Sequence, residues 1–347
     1  MSAGSPSKQW KEVVAPDEGE RFERYAEQLR LLQQQNAKAG RPHRALHAKL
    51  LLGARAELTV LPNLPEHAQV GLFATPKSYS AWVRFSNGGS SIKDDRKADI
   101  RGMAIKLIGA PGRKVIPGME DARTQDFLMI QTPVSPFQGP EEFMFFVLGS
   151  SSPLTLLPRS IRRFGLRRTL AILGAFKQRV AQPVPTLAGL RFWSVAPIRF
   201  GPYAARFSVR PTAAPNPPTS LAKGPEYLTE DLKDRLAKGA LSYDFMVQFF
   251  VDDQRTPIEN SSVEWLESDA PFVTVARLTL LQQQLRSPEG RRIQEYVEKL
   301  SFDPWHAAED FRPLGQVMRA RNPAYRVSTQ SRQAAKEPED AELPLHD

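Results

Sequence analysis

Two sets of short β-rich runs, held apart by a long arginine-rich stretch, limit what this chain can fold into. The first set lies between about Gly40 and Leu128 and includes Leu58-Thr59-Val60-Leu61 and Ala81-Trp82-Val83-Arg84-Phe85, and the second runs from Tyr243 to Leu280. Gly, Pro and Asn punctuate the runs, so each ends in a turn, and alternation along a run gives a strand one face for a core. Pro271 turns the chain before the last run, Phe272-Val273-Thr274-Val275-Ala276-Arg277-Leu278. Helical patterns flank the strands. Asp17 to Asn36 carries Phe22, Tyr25, Leu29 and Leu32 on one stripe of a charged segment. Ile293, Tyr296, Val297 and Leu300 form a second pattern, and Leu314, Val317 and Met318 begin a third that leads to Arg321 and Tyr325. At 347 residues such an α+β chain buries a large core and needs no second domain.

The stretch between the strand sets holds the charge. Formal net charge is +9, yet Phe143 to Pro225 contains no Asp or Glu and twelve Lys or Arg, leaving the remainder at −3. Leu157, Ile161, Leu166, Leu170, Leu173 and Phe176 recur there at near-helical spacing, which predicts one or two basic amphipathic helices broken at Gly165 and Gly174. One reading is a solvated helical insertion packing its apolar face on the strands. The other is a peripheral membrane helix drawn to acidic lipid or fatty acyl substrates. Nucleic acid is not an expected partner, because Phe164 and Phe176 are not interleaved as a stacking platform. No uncharged apolar stretch of about 18 residues, the length of a membrane span, occurs. Met1 to Lys8 lacks the apolar core of a secretory signal, so a cytoplasmic protein is expected. There are no cysteines, which removes disulfides, thiolate ligation and cysteine-based peroxide chemistry.

Two distant side chains are the chemical candidates. His47 lies in Arg44-Ala45-Leu46-His47-Ala48-Lys49 and Tyr325 in Arg321-Asn322-Pro323-Ala324-Tyr325, each a short step after an arginine. An imidazole titrating near physiological pH carries a proton between the two oxygens of a peroxide. A phenol ligates ferric iron only as phenolate, although its unperturbed pKa is about 10. An arginine at i−4 on a helix lies one turn back on the same face and favours the anion. Taken alone, a histidine beside apolar residues also suits a structural role, and an Arg-x3-Tyr pair arises by chance.

Ordered segments between the two shift that balance. They are Val83-Arg84-Phe85-Ser86-Asn87-Gly88, then Asp99-Ile100-Arg101-Gly102-Met103-Ala104-Ile105-Lys106, then Asp126-Phe127-Leu128-Met129-Ile130-Gln131-Thr132-Pro133. With the later Tyr243-to-Gln248 and Phe272-to-Leu278 strands, this series resembles the haem catalases in identity, order and approximate spacing, from about Arg41 to about Tyr325. The chain is most similar to the short catalase-related peroxidases of that superfamily. The resemblance implies an antiparallel β-barrel of about eight strands with flanking helices, haem b between His47 and Tyr325, a peroxide substrate and an unknown reducing donor. The expected organisation is residues 1–38 as an N-terminal arm, 39–330 as the haem domain with its basic insertion at about 150–185, and 331–347 as a disordered acidic tail. Residues 1–15 are expected to be unstructured, and the arm is a candidate for joining subunits of a homo-oligomer.

The resemblance also implies roles. His47 is the distal acid–base group, and Ser86 hydrogen-bonds its imidazole and sets the tautomer. Arg44 and Arg84 face the haem propionates, Leu46 and Phe85 give apolar contact in the distal pocket, and Arg321 supports Tyr325 as the iron ligand. Asp99 and Arg101 read instead as a structural turn and ion pair. One position departs from the pattern. Where catalases place a distal asparagine ahead of Thr-Pro, this chain has Gln131, or Thr132 under a small shift. The extra methylene of glutamine moves the amide donor by about a bond length. Disproportionation of hydrogen peroxide is therefore expected to be weak or absent, while peroxidase chemistry persists. Related allene oxide synthases place a threonine before the distal histidine, where this chain has Leu46. That favours a peroxidase over a fatty-acid hydroperoxide isomerase or lyase, which the basic insertion would suit. A non-catalytic haem-binding protein is the third reading.

Overall fold

In the computed structural model the described residues are 4–37, 43–149, 152–180, 184–215 and 224–343. Nine strands form: β1 (Leu50–Val60), β2 (Ser78–Asn87), β3 (Arg101–Ile108), β4 (Thr124–Ile130), β5 (Phe192–Trp193), β6 (Ile198–Phe200), β7 (Tyr203–Pro211), β8 (Leu241–Phe249) and β9 (Phe272–Leu280). They pair antiparallel in the order β5-β4-β3-β2-β1-β9-β8-β7-β6, and β5 also pairs with β7. That extra pairing closes a barrel. Trp193 meets Ser208 and Ile198 meets Ala205, so β5 and β6 share one edge of β7 and act as a single broken strand. The ring is thus eight-stranded, as expected, and closure leaves no long edge to aggregate.

Phenylalanine fills it. Phe127 lies 5.1 Å from Phe207 and 5.0 Å from Phe245, and Phe73 lies 5.5 Å from Phe200, centroid to centroid. All five rings are buried. Each is worth about 1.5–3 kcal/mol of burial, so the barrel is a packed core and not a cavity.

The helices are α1 (Glu18–Gln35), α2 (Pro140–Gly149), α3 (Pro153–Phe164), α4 (Leu166–Val180), α5 (Tyr227–Lys238), α6 (Pro288–Lys299) and α7 (Gln316–Ser331). None is long and apolar enough to cross a membrane among the described residues. Helix α6 approaches β1 closely at Gly53, where an added Cβ would lie 2.7 Å from Val297 Cβ. Helix α1 lies along α7 of its own chain, burying Phe22 and Ala26. Residues 4–15, within the stretch expected to be unstructured, form no regular element but are anchored. Gly4 N–H donates to Asp269 O (2.8 Å), Ser7 N–H donates to Phe250 O (2.8 Å), and Glu12 pairs with Arg319 (2.6 Å).

Two further expectations need correction. Gly165 does end α3, with φ at 81°, but Gly174 lies inside α4 and breaks nothing. A mid-helix glycine costs only about 1 kcal/mol, and the apolar pattern continues through it. The tail from 331 is not free either. Glu337 accepts from buried Lys106 Nζ at 2.7 Å and from Thr124 Oγ1 at 2.6 Å, while Lys106 also pairs with Asp126 at 2.8 Å. A buried ammonium needs carboxylate partners, and the tail supplies one. The Pro211–Pro225 loop falls partly outside the described residues, as do 344–347.

Glu337→Gln is expected to cost roughly 1–3 kcal/mol, because a hydrogen-bonded charge is lost beside a buried cation. Chain truncation after Arg332 is expected to cost at least as much. Both are read from the urea midpoint, and an unchanged midpoint would mean that the tail is idle.

Candidate active site

The site is built on the outside of the barrel, and strand register puts it there. Ser86 lies opposite Gly102, and Gly102 opposite Ile130; likewise Arg84, Ala104 and Leu128 form a row. Directly paired residues of an antiparallel ladder share a face, and neighbours along a strand alternate. Phe85, Met103, Ile105, Phe127 and Met129 therefore point inward, and Arg84, Ser86, Gly102, Ala104, Leu128 and Ile130 point outward. Of the outward set, Ala104, Leu128 and Ile130 are only partly buried, an apolar wall left open.

His47 stands against this wall. Its Nδ1 is 3.0 Å from Ser86 Oγ. A Cβ built on Gly102 would lie 2.7 Å from Nδ1 and Cε1 of the ring, so the imidazole reaches Ser86 only because residue 102 has no side chain. The backbone of His47 is itself unusual, with φ at 53°. A left-handed conformation costs a residue with a Cβ roughly 1–2 kcal/mol. Its neighbours hold it there: His47 N–H donates to Gly88 O at 3.0 Å, and Arg84 Nη2 donates to His47 O at 3.0 Å. Burial, then the positive charges of Arg84, Arg321 and Arg44, push the imidazole down to about 3. The ring is thus neutral at physiological pH and does not titrate there as the sequence suggested.

Arg44 and Arg84 converge on one carboxylate, Glu298 of α6. Arg44 Nη1 is 2.5 Å from Oε1, and Arg84 donates to Oε2 through Nη2 (3.1 Å) and Nε (3.3 Å). Arg332, just past the end of α7, donates to the backbone oxygens of Glu298 (3.3 Å) and Leu300 (2.8 Å). Burial raises the Glu298 carboxyl, but Arg84 and Arg44 foremost, with Arg332, outweigh it and hold the group below its ordinary range. Burial likewise brings Arg332 down to about 10. Three guanidiniums against one carboxylate leave a surplus of positive charge. Sequence reasoning missed both Arg332, which reads as the start of a polar tail, and Glu298, which falls on the charged side of an amphipathic pattern.

On α7, Arg321 Nη2 donates to Tyr325 Oη at 2.7 Å, and the guanidinium carbon stands 5.0 Å from the Tyr325 ring centroid. The i−4 geometry inferred from sequence is present, with Pro323 inside the helix. Because Arg321 also acts on the charge of His47, and Tyr325 on that of Arg44, the two halves share one electrostatic environment.

Other candidates do not join them. Gln131 lies one residue beyond the row that faces His47. Its side-chain oxygen accepts from Arg101 N–H at 3.0 Å, and its own N–H donates to Arg101 O at 3.0 Å. Strand alternation thus puts Ile130 on the face where an amide was expected. Thr132 is occupied with Val134 O at 3.0 Å. Phe85 points into the barrel, 6.0 Å from Phe192, away from Ser86. Leu46 is half-buried next to His47. Asp99 and Arg101 are structural but not paired with each other. Asp99 accepts from Gly89 N–H (3.1 Å), and Arg101 donates to Asn87 Oδ1 and Asp95 O (2.7 Å).

No protein-family model matches this chain. In sequence it is 27% identical over 303 residues to a catalase-related peroxidase of Mycolicibacterium paratuberculosis, covering 83% of this chain and 88% of that one. In structure it is similar to a fungal catalase (TM-score 0.67, 17% identity, 99% of this chain and 68% of that chain). It is also similar to a bacterial catalase (0.60, 17%, 96% and 63%) and to catalase A from Saccharomyces cerevisiae (0.65, 14%, 95% and 67%). The chain thus spans about two thirds of the length of these catalases. The fold is thus that of the catalases, and the sequence is similar to that of a catalase-related peroxidase along most of both chains.

Proposed function

We propose that the chain is a haem b peroxidase that reduces hydrogen peroxide or organic hydroperoxides, with weak or no disproportionation of hydrogen peroxide. The observation that carries this reading is that Arg321, hydrogen-bonded to Tyr325, also acts on the charge of the Ser86-bonded His47, which stands at an open outer wall of the barrel.

The donor set suits the porphyrin. Tyr325 offers a phenol oxygen, a ligand type for ferric haem iron, and Arg321 donates a hydrogen bond to that oxygen. Arg44, Arg84 and Arg332 already surround the carboxylate of Glu298, the same chemical group that a propionate presents. Gly102, Ala104, Leu128 and Ile130 give a low apolar wall. When bound, haem supplies the iron at which the peroxide O–O bond is cleaved. His47 would take the proton from the inner peroxide oxygen and return it to the outer one, which would leave as water or an alcohol. Ser86 would fix the ring for both transfers, with an outside donor supplying the two electrons of the reduction.

The weak catalase activity of this proposal now rests on Ile130 and not on Gln131. An isoleucine offers no hydrogen bond to a peroxide oxygen, and Gln131, one residue beyond the row facing His47, turns its side-chain oxygen to the Arg101 N–H. Leu46, unable to hydrogen-bond the imidazole, supports the peroxidase over the isomerase reading. The basic hairpin supports the alternative of a fatty-acid hydroperoxide, and product analysis separates the two: the alcohol marks reduction, an allene oxide or aldehyde marks rearrangement. Haem binding without donor oxidation would point to the non-catalytic reading.

Purified with haem, the protein is expected to show a high-spin, phenolate-type ferric spectrum that Tyr325→Phe abolishes. His47→Ala is expected to keep haem but lose about 10²–10⁴-fold in peroxide-dependent donor oxidation, the range for general acid–base groups. Intact turnover in that variant would end the assignment. Ile130→Asn is expected to raise hydrogen peroxide disproportionation by roughly 10- to 100-fold, since placement of a polar group is worth that much, whereas Gln131→Ala leaves it unchanged.

The pH profile is a further check. Because the His47 pKa is lowered to about 3, its proton-accepting form is complete at neutral pH and is lost only as pH falls toward that value. Stopped-flow peroxide consumption is expected to show no histidine-linked fall between about pH 8 and 5, around the ordinary histidine pKa of about 6.5.

A further inference from the structure

The twelve cations of Phe143 to Pro225 are not equivalent in the fold. Arg163 and Arg168 pair with Glu141 and Glu142 of α2, and Arg191, Arg199 and Arg210 pair with Glu267, Glu309 and Asp244. Arg206 is buried, its guanidinium carbon 4.6 Å from the Trp265 ring centroid and its Nη1 bonded to Val263 O. The cations that remain exposed with no carboxylate at ion-pair distance, among the described residues, are Arg159, Arg162, Arg167 and Lys177. All four are on the α3–α4 hairpin. Arg159 spends its charge over Phe145, 5.7 Å from the ring centroid. Arg162, Arg167 and Lys177 have no such contact.

Apolar exposure concentrates in the same place. Of the twelve large hydrophobic residues exposed in the described structure, six are Leu154, Leu157, Leu166, Leu170, Leu173 and Phe176, and Leu154 is 93% exposed. The hairpin has an inner face already covered. Ile172 and Thr169 are buried, and Arg163 and Arg168 tie that side to α2. Leu166, Leu170 and Leu173 at i, i+4 and i+7 therefore form a second, outward apolar stripe beside unneutralised cations. Apolar area of this kind is not left in water without a use.

We propose that the α3–α4 hairpin docks the protein on the surface of an anionic phospholipid bilayer, lying in the interface plane with its leucines among the acyl chains and its cations at the phosphates. The chemistry matches. A lipid interface accepts side chains with an apolar body next to cations, and each juxtamembrane Lys or Arg adds attraction to acidic headgroups. A second copy of the chain fits less well, because a two-fold contact through this face sets the same unneutralised cations against themselves. Docking is peripheral, as neither helix has the length or hydropathy to span. The inference does not depend on the peroxidase reading. It gives the protein a route to lipid-borne substrates whatever its chemistry.

The test is co-sedimentation of the full chain with unilamellar vesicles, half phosphatidylglycerol and half phosphatidylcholine, against vesicles of phosphatidylcholine alone. At low ionic strength the bound fraction is expected to favour the anionic vesicles by at least about tenfold, and to fall in about 1 M salt, where the screening length is about 3 Å. Leu166→Ser/Leu170→Ser and Arg162→Gln/Arg167→Gln/Lys177→Gln are each expected to reduce binding by about tenfold. All five residues are exposed, so both variants are expected to keep the parent melting temperature and haem content. Binding without preference for anionic lipid, or binding that survives the leucine change, overturns the proposal. So does a concentration-dependent dimer, seen by analytical ultracentrifugation, that the leucine change abolishes.

Discussion

With no side chain at Gly102, the imidazole of His47 can rest on β3 and reach the Ser86 hydroxyl on β2; with even a methyl group there, the ring would have to move. The rest of the site follows from that contact. The backbone of His47 makes a left-handed turn at the wall, which Gly88 and Arg84 secure. Burial in that position removes water from the imidazole and keeps it neutral. One absent side chain therefore admits the ring, while backbone hydrogen bonds hold its turn and burial with three arginines sets its protonation state.

Charge is arranged on the same principle of mutual support. Arg44 comes from the segment before the barrel, Arg84 from β2 and Arg332 from the end of α7, and Glu298 of α6 meets all three. None of these arginines would be tolerated buried and unpaired. The Glu298 carboxylate, shared by Arg44 and Arg84, ties the helical layer to the outer wall, Arg332 bonds backbone oxygens beside it, and a cationic surplus is left at the edge of the site. The ordered tail does comparable work elsewhere, where Glu337 completes the shell of Lys106.

Much of this was legible in the residues. Closely spaced β-rich runs gave the strands on either side of the basic stretch but not β5, β6 or β7, the stripe from Phe22 to Leu32 gave α1, and the i−4 relation of Arg321 and Tyr325 survived intact in α7. Local spacing on a helix fixes which side chains meet, so that pair needs no tertiary information. Phe85 and Gln131 show where such reading fails. Each stands next to a residue that does face His47, and in a strand the neighbouring position is the opposite face. A motif aligned one residue out of register therefore names the wrong side chain, and here it concealed Ile130.

The sequence by itself determined the strands on either side of the basic stretch, the amphipathic helices α1, α6 and α7, the family resemblance, the local proximal pair and the concentration of positive charge between residues 143 and 225. Only the tertiary structure decided which of those cations stay unneutralised, because their carboxylate partners, such as Glu267, Glu309 and Asp244, are distant in the chain. It also decided that the site faces outward from the barrel, that Arg332 and Glu298 belong to it, and that the tail is held by a buried lysine. The physical reason is common to all of these. Register, burial and ion pairing across long loops are set by the closed sheet as a whole, and no local pattern encodes them.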